Sequence, residues 1–313
     1  MRYKARARWC RNRSVGESSS QSRRWADAHE PSAMRRGSPS PASLRSATSP
    51  RCAWRGNFRP ERGEGTLILA HRGASALETE NTLGAFRRAM VEGADGVELD
   101  VQRCGTGEVV VFHDDDLTRL AERPERIGHL PLNAIREVRL LRGGEIPTLA
   151  EALDACGPAA LVNIEIKYSG TFPKGCRALV AGVADVVARA DAGQRVIISS
   201  FSPGAVWLWR KIRPDIACGL LFERPQPFHR PWPLRTDFLL PLLRPLAVHP
   251  EESLCTYARV ARWRARGYAV NTWTVDAAQR VGALADMGVS GIITNDPAGA
   301  RAALTLTRRS AGG

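Results

Sequence analysis

The sequence predicts a single (β/α)8 TIM-type barrel that carries a β-hairpin and a small insertion after its second strand and follows a disordered basic tail. Three observations lead there. From residue 65 onward, short β-rich runs alternate with amphipathic helical runs, the pattern of parallel strands joined by crossover helices. Eight such strands fall within roughly 230 residues, close to the usual barrel length of about 250. Several runs also end in acidic, basic or imidazole side chains, which in a barrel would meet at the C-terminal mouth.

The division of the 313 residues follows from composition. Net charge is +13, but residues 1–64 hold 15 Lys and Arg against 5 Asp and Glu, and the remainder holds 30 against 27. The first 64 residues are rich in Arg, Ser and Pro, so they bury too little apolar area to offset the entropy of ordering. The expected organisation is a disordered extension over 1–64, a barrel over 65–303 and a flexible C-terminus over 304–313. A basic arm for nucleic acid or anionic lipid is the other reading of the tail, but the disordered extension is preferred and no nucleic-acid partner is expected. Ser22-Arg23-Arg24-Trp25 hints at a twin-arginine signal, but Ala26-Asp27-Ala28-His29-Glu30 offers no apolar core. With no apolar stretch long enough to span a bilayer, a cytoplasmic location is expected. The seven Cys are scattered without paired spacing, which argues for reduced thiols over a zinc knuckle or disulfide framework.

In chain order, strands are expected at 66–70, 96–101, 160–166, 195–200, 216–222, 246–249, 269–275 and 291–294. Helices are expected at 82–92, 148–155, 176–190, 204–211, 257–266 and 277–287. The β-rich run 108–113 follows the second strand too closely for a parallel crossover. It must fold back antiparallel about Gly105-Thr106-Gly107, where positive φ is easy. The hairpin then returns His113 to the level of Glu98. Residues 115–146 form a polar, partly helical insertion. Thr148 is placed as an N-cap, with Glu151 completing a capping box. The Pro- and Arg-rich stretch 224–238 reads as a long loop that either shapes a substrate mouth or covers surface.

The chemistry lies at the strand ends. His71-Arg72-Gly73 closes the first strand. Glu98 and Asp100 lie two apart on the second, so they share a face, as do Glu165 and Lys167 on the third. Three carboxylates pointing into an apolar barrel are costly unless compensated. Either a hard divalent cation, with Mg²⁺ and Ca²⁺ both suited, or salt bridges to Lys167 and Arg72 would compensate them. Arg72 offers a fork of donors and Lys167, one of only four lysines, a point charge; both suit a phosphate. His71 and His113 are the acid–base candidates. Trp273 packs either a polyol's carbon face or the barrel interior. His249 is ambiguous, and Ser199-Ser200-Phe201 is a weaker sign of a pocket wall.

Together these residues resemble the glycerophosphodiester phosphodiesterase family over about residues 66–299. The parts, in order, are His71-Arg72-Gly73 with Glu80-Asn81-Thr82, Glu98-Leu99-Asp100-Val101, and Val111-Phe112-His113-Asp114 with Leu117-Thr118-Arg119. They continue through Ile146-Pro147-Thr148-Leu149, Glu165-Ile166-Lys167, Ser199-Ser200-Phe201, Trp273-Thr274-Val275 and Gly291-Ile292-Ile293-Thr294. The resemblance implies metal-dependent hydrolysis of a small glycerophosphodiester to sn-glycerol 3-phosphate and an alcohol. It implies His71 as general base and His113 as general acid, Glu98, Asp100 and Glu165 as ligands of Mg²⁺ or Ca²⁺, and Arg72 and Lys167 as phosphate-binding residues; Trp273 stands beside them as a substrate-binding candidate on its own reading. Phospholipase D-like hydrolysis of lysophospholipids on the same barrel is the alternative. A non-catalytic phosphate-binding barrel would lack a His or a metal ligand, and this chain lacks none. It departs from the family pattern at Thr79, where Pro is usual, at the Gly105-Thr106-Gly107 turn and at Arg103. None of these is a catalytic position.

Overall fold

The computed structural model describes residues 65–224 and 236–311. The tail read over 1–64, and all but the ends of the loop read over 224–238, lie outside the described residues. The strands are β1 (Leu67–His71), β2 (Gly96–Arg103), β3 (Val109–Val111), β4 (Leu161–Ile166), β5 (Val196–Ser200), β6 (Cys218–Phe222), β7 (Ala247–Pro250), β8 (Ala269–Thr272) and β9 (Gly291–Thr294). Eight of them form a parallel sheet in the order β1-β9-β8-β7-β6-β5-β4-β2, and pairing of β1 with β2 closes it into a barrel. The ninth, β3, pairs antiparallel with β2, with Val101 opposite Val111. It is the hairpin expected from the short connection. Its turn uses Gly107 at φ 106°, and the Arg103 guanidinium donates to the Gly107 carbonyl (3.2 Å). Arg103 thus braces the turn.

The helices form as their sequences direct and bury one face against the sheet. Thr82 caps Leu83–Val91 by accepting from the Ala85 amide (3.2 Å), and Ala85, Phe86 and Ala89 turn inward. Pro173–Arg189 starts with Pro at its first turn, where the missing amide costs nothing, and buries Cys176, Leu179, Val180, Val183 and Val187 at helical spacing. Leu149–Ala155 carries the expected capping box between Thr148 and Glu151.

Three features differ from the sequence reading. Residues 115–146 have a hydrophobic centre of their own, in which Leu117, Ile127, Ile135 and Ile146 pack with Val110 and Phe112 of the hairpin. A helix, Thr236–Leu243, begins inside the stretch read as loop, and Leu240 and Leu243 bury beneath it despite Pro241. The segment expected to be a flexible C-terminus from 304 is instead mostly helical. Pro297–Ala311 is continuous, and Ala300, Ala303 and Leu304 bury at i, i+3 and i+4. Apolar spacing overrode the polar look of that end.

Candidate active site

Parallel register brings the strand-end residues together. On neighbouring strands His71 stands beside Glu98, and Asp100 beside Glu165. Glu98, Asp100 and Glu165 are only 3, 1 and 8% exposed, and an oxygen from each lies within 4.8 Å of the others. Lys167 Nζ sits 2.9 Å from Glu165 and 3.7 Å from Asp100. Arg72 Nε is 3.3 Å from Asp100. His71, Arg72, Glu98, His113, Glu165 and Lys167 line a cavity of about 230 Å³ together with Phe201, Leu221, Glu223 and Trp273. Seven of the eight side chains expected at the site line this cavity, and the eighth, Asp100, is buried beside Glu98 and Glu165.

The backbone that holds Arg72 is left-handed (φ 55°), a conformation rare for such a residue. It persists because the Arg72 amide donates to Glu98 (3.1 Å) and its carbonyl accepts from the Asn81 amide (2.9 Å). Asn81 is itself left-handed (φ 59°), and its side-chain amide donates to Asp100 (2.8 Å) while accepting from the Asp100 amide (3.3 Å). The Glu80-Asn81-Thr82 loop is thus locked to β2 with Thr79 in place of proline, and Thr82 bonds the Thr79 carbonyl (2.7 Å).

Both imidazoles have a defined tautomer. Asn295 donates its side-chain amide to Asp276 (2.7 Å), which aims its oxygen at His71 Nδ1 (2.7 Å). That oxygen only accepts, so Nδ1 carries the hydrogen and Nε2, 4.0 Å from Glu98, faces the acids with its lone pair. His113 likewise donates Nδ1–H to Asp114 (2.6 Å).

Electrostatics separate the acids. Burial first, then the neighbouring carboxylates Asp100 and Glu165, pushes Glu98 well above the usual range. Burial pushes Glu165 up to about 7 against the pull of Lys167. Asp100 also meets a burial penalty, but Lys167, Arg72 and its Asn81 bond hold it below the ordinary value. Burial lowers His71, aided by Arg72, and burial lowers His113 against the pull of Asp100. Both shifts favour the neutral ring.

His249 lies outside the acid cluster. It is fully buried one layer down the barrel, where burial lowers it to about 3 and Nε2 meets the Asn271 side-chain amide (3.1 Å). Its ring fits because the neighbouring strand offers Gly219, where a Cβ would overlap the imidazole. Gly219→Ala is expected to cost about 1–3 kcal/mol through overpacking, read as a lower denaturation midpoint with an unchanged slope.

The sequence reading quoted Glu80, Asn81, Asp114 and Arg119 without giving them roles, and it did not single out Asn295 or Glu223. Their signal was faint, since each is a polar residue outside the strands.

The fold and this mouth define a (β/α)8 barrel with an acid, imidazole and cation site at the C-terminal ends of its strands. The profile of the Glycerophosphoryl diester phosphodiesterase family matches residues 71–299, and the chain belongs to that family. A glycerophosphodiester phosphodiesterase of Caldanaerobacter subterraneus subsp. tengcongensis is 34% identical over 244 residues, covering 74% of this chain and 95% of that protein. The structure of an Oleispira antarctica phosphodiesterase in complex with the product sn-glycerol-3-phosphate matches at 25% identity and TM-score 0.69, covering 77% of this chain and 97% of that one. A glycerophosphodiester phosphodiesterase from Thermotoga maritima matches at 27% identity and TM-score 0.62, covering 74% and 96%.

Proposed function

We propose that this chain is a phosphoric diester hydrolase that converts glycerophosphodiesters to sn-glycerol 3-phosphate and an alcohol. The observation that carries the reading is the meeting of three buried carboxylates, two cations and two Nδ1-protonated imidazoles in one mouth, in a member of this family. The product held by the Oleispira relative supports the same substrate class.

Arg72 and Lys167 bind the phosphoryl oxygens, Arg72 as a fork and Lys167 as a point charge. His71 Nε2 accepts a proton from the attacking glycerol hydroxyl as the phosphorus–oxygen bond to the alcohol breaks; water then opens the cyclic phosphate, and His71 returns its proton to the glycerol oxygen. His113, protonated from solvent to the imidazolium that Asp114 supports, gives its Nε2 proton to the departing alkoxide and takes one back from the water of the second step. The Trp273 ring, edge-on to Phe201 with centroids 5.5 Å apart and anchored through Nε1 to the His249 carbonyl (2.8 Å), packs the glycerol carbons.

Glu98, Asp100 and Glu165 would hold Mg²⁺ or Ca²⁺. Three hard oxygens lie within reach of one ion, and Glu98 and Glu165 are both driven toward their neutral forms although Arg72 and Lys167 stand close. The cluster is short of positive charge, as an oxygen-ligand cation site should be before loading. When bound, such an ion supplies Lewis-acid polarisation of a phosphoryl oxygen.

A cytoplasmic location belongs to this reading. It is supported by five free, buried cysteines and by the lack, among the described residues, of any helix long and apolar enough to cross a membrane. The test is release of glycerol 3-phosphate from glycerophosphocholine and other head groups, with lysophosphatidylcholine for comparison. EDTA is expected to stop turnover, and Mg²⁺ or Ca²⁺ to restore it. Faster release from lysophosphatidylcholine would favour the phospholipase D-like alternative, and turnover unaffected by EDTA would remove the metal.

A further inference from the structure

We propose that Arg119, in the insertion, is a positioning residue that sets the catalytic imidazole and the phosphate-binding guanidinium relative to each other. The inference rests on the reading of His113 and Arg72 given above. Arg119 Nε donates to Asp114 (2.6 Å), whose other oxygen takes the His113 Nδ1 proton (2.6 Å). Its two terminal nitrogens donate to the two oxygens of Glu80 (2.9 and 2.7 Å), and Glu80 also accepts from Arg72 (2.8 Å). One guanidinium thus uses all three of its donor edges to join the carboxylate behind His113 to the carboxylate behind Arg72. The two ends come from loops that lie far apart in the chain, the one after β1 and the one after β3.

The insertion is built to hold that cation in place. The Asp116 side chain accepts from the Thr118 amide (2.9 Å) at the start of the short helix Thr118–Ala121, and Leu117, its N-cap, is buried in the insertion's own core. Arg119 and Arg72 together keep Glu80 ionised, and Arg119 and His113 do the same for Asp114, in each case against the penalty of burial. Arg119 itself is 47% exposed, so an ordinary ion pair there would contribute little to stability. Its value is geometric, because a planar fork fixes both carboxylates at once where an ammonium cannot. The insertion thereby gains a function: it carries the brace that aligns two loops of the mouth.

The experiment measures kcat and KM on glycerophosphocholine for the full chain and for Arg119→Ala, Arg119→Lys, Asp114→Asn and Glu80→Gln. Asp114→Asn is expected to lower kcat, Glu80→Gln to raise KM, and Arg119→Ala to do both, each by about 10- to 100-fold, the range seen when the partner of a site residue is lost. Lys should restore little. Millimolar guanidinium should restore Arg119→Ala where ethylammonium does not, a rescue that a merely stabilising residue would not show. Independently of turnover, the downfield His113 Nδ1 proton, identified by its absence in His113→Ala, should be present in the wild-type chain and lost in Arg119→Ala. Unchanged constants in Arg119→Ala, or a loss without rescue that tracks a lowered melting temperature, would overturn the assignment. A wild-type chain that turns over no diester but shows the Arg119-dependent proton would refute the proposed activity and leave the brace standing.

Discussion

Replacing Glu98 by Gln should lower hydrolysis by about 10³-fold or more, ~4 kcal/mol of transition-state stabilisation, while raising the melting temperature of the metal-free protein. Glu98 is buried beside Asp100 and Glu165, and its folded-state pKa lies well above its unfolded value. A carboxyl shifted in that direction contributes stability below the unfolded pKa, and that stability is lost as pH rises through the folded pKa. Above its unfolded pKa the carboxyl is therefore a liability in the metal-free fold. Gln keeps the shape, retains an oxygen for the Arg72 amide and removes the charge. The expected gain is about 1 kcal/mol, or ~2–4 °C for a domain of this size. With Mg²⁺ or Ca²⁺ at a hundredfold excess over its dissociation constant, the wild type gains about 2.7 kcal/mol. The Gln variant, short of a ligand, gains less, so the order reverses. Thermal unfolding in EDTA and in excess metal, beside the glycerol 3-phosphate assay, reads all three effects. A variant less stable than wild type in EDTA would mean that Arg72 already neutralises Glu98 and that no ion is required there.

The second large effect concerns the imidazoles. His71→Ala and His113→Ala should each lower kcat by about 10²–10⁴-fold, the usual worth of a positioned acid or base, with little change in stability. Each ring donates Nδ1–H to a partner with other support: Asn295 is also held by Ser75 (2.8 Å) and Asp276, and Asp114 by Arg119. Because the two rings act on one proton relay, the double variant should cost much less than the product of the single losses. Circular dichroism and steady-state rates on the three variants test this. Full activity in either single variant would remove that ring from the chemistry, and strict multiplicativity would mean that the rings act independently.

Much of the site was legible because strand chemistry is periodic. Glu98 with Asp100, and Glu165 with Lys167, declared a shared face by their spacing of two, and the Gly-rich turn dictated that His113 folds back. What stayed hidden depends on loop geometry. Asn81 matters because a left-handed backbone at two residues lets it clasp Asp100, and no spacing announces that. Asn295 was passed over because one amide after a strand resembles any other until Asp276 orients it. No helix was expected over Pro297–Ala311, because the face it buries meets the barrel only in three dimensions.

Taken alone, the chain's alternation of strand and helix and its polar strand ends determined the barrel and named the acids, imidazoles and cations at its mouth, because side-chain direction along a strand is a local property. The tertiary structure alone decided which nitrogen of each ring carries its proton, which carboxylates repel and which are neutralised, and that an insertion 39 residues from Glu80 sends back the arginine that grips it. Those outcomes depend on distances between segments remote in the chain, and electrostatic energy in a buried site changes steeply with such distances.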